Sequence, residues 1–201
     1  DDGSPRGPRT VALVDPARVP STSGKTPSAN RITAALVAQL VAGGHRTLAF
    51  CRSRAGTEAV AAEVVRRHPA LAGRVRPYRG GYLASERREI EAQLFSGRLG
   101  GVVATSALEL GVDIGGLDAV VLNGFPGTIA SLWQQVGRAG REGQSSLAVL
   151  VAGEDQLDHY FLQHPDEVFR RAPEPAVVNP ANPFVLDPHL AVVEEVLHAV
   201  A

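Results

Sequence analysis

The sequence is most informative first in what it lacks. Its 201 residues contain no methionine, one lysine, one tryptophan and one cysteine. A lone Cys51 excludes an internal disulfide framework and a cysteine-built zinc site. No apolar run approaches the roughly 18 residues of a membrane-spanning helix, and no secretory leader pattern is present. The expectation is a protein of a reducing, cytoplasmic compartment with no membrane partner. Without an initiating methionine, and with the polar start Asp1-Asp2-Gly3-Ser4-Pro5, the chain reads as a piece of a longer protein. There is also no net basic charge, since the formal total is -1. A globally basic nucleic-acid binder is therefore excluded, although local basic faces are not.

What is present suits one packed domain. Hydrophobic residues make up 44% and charged residues 20%, so a core can form and global disorder is not indicated. Arginine is concentrated in the middle, at positions 52, 54, 66, 67, 74, 76, 79, 87 and 88, whereas acidic residues dominate after Glu154. This is compatible with either one positively charged face or an ordinary solvated surface.

Short apolar runs at Val11–Val14, Thr47–Cys51, Val75–Tyr78, Gly101–Ala104, Leu117–Leu122 and Leu147–Val151 read as strands. Between them, helical spacing marks Ile32–Leu40, Thr57–Arg67, a helix capped by Ser85 and ending at Phe95, and Ile129–Val136. A further helix is expected over 155–163. Continuous apolar strands alternating with helices predict an α/β fold, a parallel sheet covered on both faces. Residues 1–9 are expected to be a flexible end, 10–170 the α/β domain and 171–201 a proline-rich arm leading to a helix from about His189. Ligands of such sheets bind in the loops after the strands. Those loops hold Cys51-Arg52-Ser53-Arg54, Arg79-Gly80-Gly81, Thr105-Ser106 and Asn123–Gly127.

Gly24-Lys25-Thr26 looks like the end of a phosphate-binding loop, but it fails the pattern. Val19 occupies the position that needs glycine, no strand leads into it, and Pro27 follows. A plain loop is preferred.

Two other segments carry more chemistry. In Gln134-Gln135-Val136-Gly137-Arg138-Ala139-Gly140-Arg141, two arginines three residues apart sit among small residues that allow close backbone approach. Two guanidinium groups so placed can converge on a phosphate and stabilise charge during phosphoryl transfer. The competing reading is a helix-end cap or a carboxylate pair. In Val103–Ile114, a strand delivers Thr105 and Ser106 where hydroxyls and helix-start amides can hold a backbone phosphate. Gly111 then turns the chain and presents Asp113 to a ribose hydroxyl; alternatively, Ser106 and Asp113 only cap locally.

Together these segments resemble motifs V and VI of superfamily 2 helicases. Thr47–Arg54 (TLAFCRSR) resembles motif IV, and Tyr78–Tyr82 (YRGGY) the backbone-binding element after it. More narrowly, Gly124–Trp133 (GFPGTIASLW) and Asn179–Leu186 (NPANPFVL) resemble the MrfA/SftH-like branch of bacterial DNA helicases.

The resemblance implies a carboxyl-terminal RecA-like lobe. Arg138 and Arg141 would face the ATP phosphates, Arg141 as the finger, with Gln135, Gly111 and Asp113 bordering the nucleotide. Ser53, Arg54, Arg79, Gly80, Gly81, Thr105 and Ser106 would meet the backbone of single-stranded or forked DNA. ATP and Mg2+ would be held mainly by an amino-terminal RecA-like lobe of the same chain, which supplies the phosphate-loop lysine and the metal-binding acids. This segment alone would bind neither and would hydrolyse no ATP. No metal site of its own is expected, and the family's four-cysteine cluster has no counterpart here. The role implied is an ATP-dependent DNA helicase or translocase in DNA repair. The alternative is a degenerate lobe serving as an interaction module.

Six side chains remain open. Trp133 reads better as packed than as a base-stacking platform, while Tyr78 and Tyr82 are candidates for stacking. His159 and His164 lack a ligand spacing, and Cys51 reads as inert.

Overall fold

The computed structural model describes residues 7–21, 24–109, 117–140, 143–175, 179 and 182–200, with side chains omitted at 185 and from 194 onward. Six strands form one all-parallel sheet: β1 (Arg9–Val14), β2 (Thr47–Cys51), β3 (Val75–Tyr78), β4 (Gly101–Ala104), β5 (Ala119–Asn123) and β6 (Ser146–Val151). Their order is β1-β6-β5-β2-β4-β3. Pro77, which cannot donate to a ladder, is tolerated because β3 is an edge strand.

Alternation along the strands divides the core in two. Ala49, Cys51, Val103, Val121, Val149 and Val151 face α1 (Ala29–Ala42) and α2 (Arg54–Arg67) through small aliphatic contacts with Val37, Val41, Val60 and Val64. Leu48, Phe50, Val102, Ala104, Val120, Leu122 and Leu150 face the other way. There they meet α3 (Ala84–Phe95), α4 (Ile129–Val136), α5 (Gln156–Gln163) and α6 (Glu167–Arg170) through Ile90, Leu94, Leu132, Phe161 and Val168. The α/β reading with both faces covered therefore holds.

Several boundaries differ from expectation. Helix α3 starts at Ala84, and its cap is formed backwards: Glu86 accepts the Leu83 N–H at 2.9 Å, so Ser85 lies inside the first turn. Leu117 precedes β5 and makes an isolated parallel bridge to Ala139. The last helix, α7 (Pro183–Val200), begins earlier than His189. Pro183 suits a first turn, although Pro188 has no N–H to give the carbonyl of Phe184. Residues Gly24-Lys25-Thr26 lie in the loop before α1, whose cap is Ser28, so no helix starts at the lysine.

Because every strand runs parallel, the loops after β2, β3, β4 and β5 emerge at one edge. The chain crosses over β2 between β4 and β5, and a crevice is expected at that reversal.

Candidate functional site

The first group of predicted residues gathers at this edge. Ser53 caps α2, its Oγ accepting the Gly56 N–H at 3.0 Å. Its neighbour Arg54 points toward Gly80, where an added Cβ would lie 4.0 Å from the Arg54 Nη2. Thr105 joins them, since its N–H donates to the Tyr78 carbonyl at 3.2 Å. Arg79 donates to Glu58 at 2.9 Å, and its guanidinium lies 5.0 Å from the centre of the Tyr82 ring. Gly81 has φ 103, a conformation that glycine adopts freely and other residues strain to reach. All these groups are exposed or half-buried, and the carboxylate that Arg79 meets, Glu58, is itself at the surface.

Tyr78 is not available for stacking. It is 2% exposed and packs in the core, while its hydroxyl donates to Glu91 at 2.6 Å. Burial and the Glu91 charge push that hydroxyl up to about 12. Tyr82 remains half-buried beside Arg79. Trp133 packs against the core and lies 5.9 Å from the Phe169 ring.

The second group sits in the interior. Gln135 Nε2 donates to Glu109 Oε2 at 3.0 Å, and the Arg138 guanidinium donates through Nε and Nη2 to the Glu109 main-chain oxygen. All three residues are buried. Burial lowers the Arg138 pKa, with the Glu109 charge acting in the opposite sense. The glycines of this segment are sterically required. At Gly140, φ is 81 and an added Cβ would lie 2.3 Å from Ser146 Oγ. Gly111, Asp113 and Arg141 lie outside the described residues.

Between the groups is a cavity of about 300 Å³, lined by Phe50, Arg52, Ser106, Glu109, Gly124 and Gln135 among others. Ser106 thus opens toward the Gln135 side, while Thr105 caps the short turn that Ser106 begins.

Sequence reasoning missed three contributors. Glu109 is the acceptor on which the second group converges. Arg52 belongs to the arginine-rich stretch, yet it pairs with Asp155 at 3.2 Å and lies 3.8 Å from Asp158. Asp158 is 1% exposed and accepts the Phe125 N–H at 2.6 Å, which anchors the loop after β5. Desolvation raises its pKa, opposed by the bonds from Phe125 and Gly153. These contacts join residues 26 or more apart, so no local pattern signals them.

Cys51 is buried, and desolvation raises its thiol pKa. Among the described residues no group of three or more His, Cys, Asp or Glu is placed to hold a metal ion. No described helix is long and apolar enough to cross a membrane.

Comparison with known proteins identifies this arrangement. Residues 30–143 match the model of the helicase conserved C-terminal domain. The chain is 41% identical over 193 residues to the uncharacterized ATP-dependent helicase YprA of Bacillus subtilis, covering 94% of this chain and 26% of that protein. The crystal structure of the DUF1998 helicase MrfA bound to DNA superposes with a TM-score of 0.84 at 40% identity, covering 94% of this chain and 27% of that one. MrfA bound to DNA and AMPPNP gives 0.81 at 40% identity, with the same coverage. The chain thus spans about a quarter of the length of these relatives.

Proposed function

The chain belongs to the helicase conserved C-terminal domain family, in the MrfA-like branch of superfamily 2, and from that premise we propose that it is the second motor lobe of an ATP-dependent DNA helicase or translocase. The observation that carries this reading is the convergence of Gln135 and Arg138 on Glu109, which directly precedes in sequence the stretch with Gly111 and Asp113. It brings the two nucleotide-assigned segments together, as a shared ATP site requires.

In this reading Arg141 is the arginine finger. It stabilises charge on the γ-phosphoryl group as water attacks and ADP leaves. Arg138, bonded to the Glu109 carbonyl, faces the ATP phosphates with it, and Gln135, Gly111 and Asp113 border the nucleotide. ATP and Mg2+ are held mainly by an amino-terminal RecA-like lobe of the same protein.

Ser53, Arg54, Arg79, Gly80, Gly81, Thr105 and Ser106 contact the sugar-phosphate backbone of the loaded strand. Such contacts are largely independent of sequence and weaken with salt. DNA as the substrate is supported by the DNA-bound MrfA relatives. A role in DNA repair rests on the branch resemblance, and a cytoplasmic setting on the single cysteine and the lack of long apolar runs in the sequence.

The test is steady-state ATP hydrolysis by the full-length protein with and without single-stranded DNA. Arg141→Ala is expected to reduce turnover by about 10³-fold or more without unfolding the protein. Undiminished turnover by that variant would remove the finger assignment.

A further inference from the structure

The segment after the sheet doubles back onto α4. From α6, Phe169 packs on Trp133. Beyond α6, Glu174 directs both carboxylate oxygens at the start of α4. Its Oε1 accepts the Ile129 N–H at 2.9 Å and its Oε2 the Ala130 N–H at 3.0 Å. These two bonds hold the Glu174 carboxyl below its ordinary pKa. Thr128 Oγ1 takes a third amide, that of Ser131, at 3.0 Å. The free amides of this first turn are thus met partly by a side chain 44 residues downstream.

Helix α4 has only eight residues. A helix this short gains little order from its own hydrogen bonds and takes its position from what it packs on and what caps it. It is also a rigid rod roughly 12 Å long, so its two ends move together. The amino end carries Glu174, and the carboxyl end delivers Gln135 and Arg138 to Glu109.

We propose that Glu174 is a positioning residue for ATP turnover: it fixes α4 and so couples the segment that follows the RecA-like sheet to the residues facing the nucleotide. This rests on the reading of α4 given above. Whatever displaces Glu174 from the amides of Ile129 and Ala130 also shifts Gln135 and Arg138, although neither residue touches it.

The chain contains its own reporter, because its single tryptophan, Trp133, lies on α4. The experiment compares the full-length protein with its Glu174→Ala and Glu174→Gln variants. It measures kcat and KM for ATP and single-stranded DNA affinity in the full-length protein, and native-state tryptophan emission in the 201-residue chain, where Trp133 is the single tryptophan, well below the unfolding temperature. Glu174→Ala is expected to lower kcat about ten- to a hundredfold, the scale of an ångström-level misplacement, and to shift the Trp133 emission. DNA affinity stays within about twofold, because the contact lies outside the loops assigned to the phosphate backbone. Glu174→Gln, which keeps one acceptor oxygen, restores part of kcat. A purely stabilising role would lower the unfolding temperature and leave kcat and emission unchanged; that result overturns the proposal. A wild-type protein without ATP turnover would instead overturn the functional reading, and this proposal with it, before any variant is compared.

Discussion

The loops at the carboxyl edge of the sheet and the segment just after α4 both carry arginines, but they hold them in opposite ways. At the edge, Arg79 is paired with the half-exposed Glu58, and Arg54 lies on the exposed surface beside Gly80. After α4, Arg138 is 8% exposed and bonded to a main-chain oxygen. An exposed ion pair contributes little to stability and can be exchanged for a phosphate at small cost. A buried guanidinium has no such freedom, because losing its acceptor leaves desolvated donors behind. The edge is therefore suited to releasing and regaining a moving strand. The α4 segment is suited to presenting a charge in a fixed place.

This contrast can be broken most severely at glycine. Gly140→Ala must adopt φ 81 and place a Cβ 2.3 Å from Ser146 Oγ, so it is expected to cost about 2–4 kcal/mol in urea unfolding. The matched change at the edge, Gly81→Ala, meets only the flexible end of Arg79 at 3.9 Å and is expected to cost about 1 kcal/mol. Equal costs would show that the two segments are not differently packed.

The arginines themselves give the next largest effect. Arg138→Ala leaves the buried Glu109 oxygen without these donors and is expected to destabilise the chain by about 1–3 kcal/mol. Arg54→Ala is expected to change stability by less than about 0.5 kcal/mol. In a titration with single-stranded DNA at several salt concentrations, it should instead reduce the salt slope by about 1. A stability loss at Arg54 as large as that at Arg138 would erase the distinction.

Glu58→Gln tests whether the edge partners are exchangeable. It weakens the hold on Arg79, so DNA affinity is expected to rise by up to about fivefold, with stability changed by less than about 1 kcal/mol. Weaker DNA binding would mean that Glu58 orients Arg79 for the strand rather than competing with it.

The smallest effect is expected at the Glu63 pair with Arg66 and Arg67 on α2. The bond from Arg66 lowers the Glu63 carboxyl to about 2. A carboxyl lowered in the folded state stabilises above its unfolded value and loses that contribution as pH falls toward about 2. Glu63→Gln should therefore slightly lower the thermal midpoint at pH 7 and have no effect near pH 2.

Much of the fold was legible because its signals are local. Strands β2 and β4 stand where continuous apolar runs placed them, since burial on both faces leaves no polar positions to confuse the reading, and the edge strand β3, which carries Arg76, also occupies its expected span. The start of α3 was misplaced because Ser85 is a plausible cap by type, whereas the cap in place uses Glu86 and a main-chain amide at Leu83. Residues 183–188 were read as extended from their prolines, yet a proline in the first turn is compatible with the start of a helix. In the site, residue types and spacing pointed to Arg138 and Thr105, and the family resemblance to Gln135. They could not reveal Glu109, Asp158 or Glu174, whose contacts span 26, 33 and 44 or 45 residues. Tyr78 looked like a stacking platform from its neighbours Gly80 and Gly81, but its position at the end of β3 turns it into the core.

The central claim is that this lobe contributes to an ATP site it cannot complete. The most direct measurement is DNA-stimulated ATP hydrolysis by the 201-residue chain alone, set beside the full-length protein under the same conditions. The account predicts turnover that rises with single-stranded DNA in the full-length protein and none above background in the isolated chain. Robust DNA-stimulated hydrolysis by the isolated chain would contradict it.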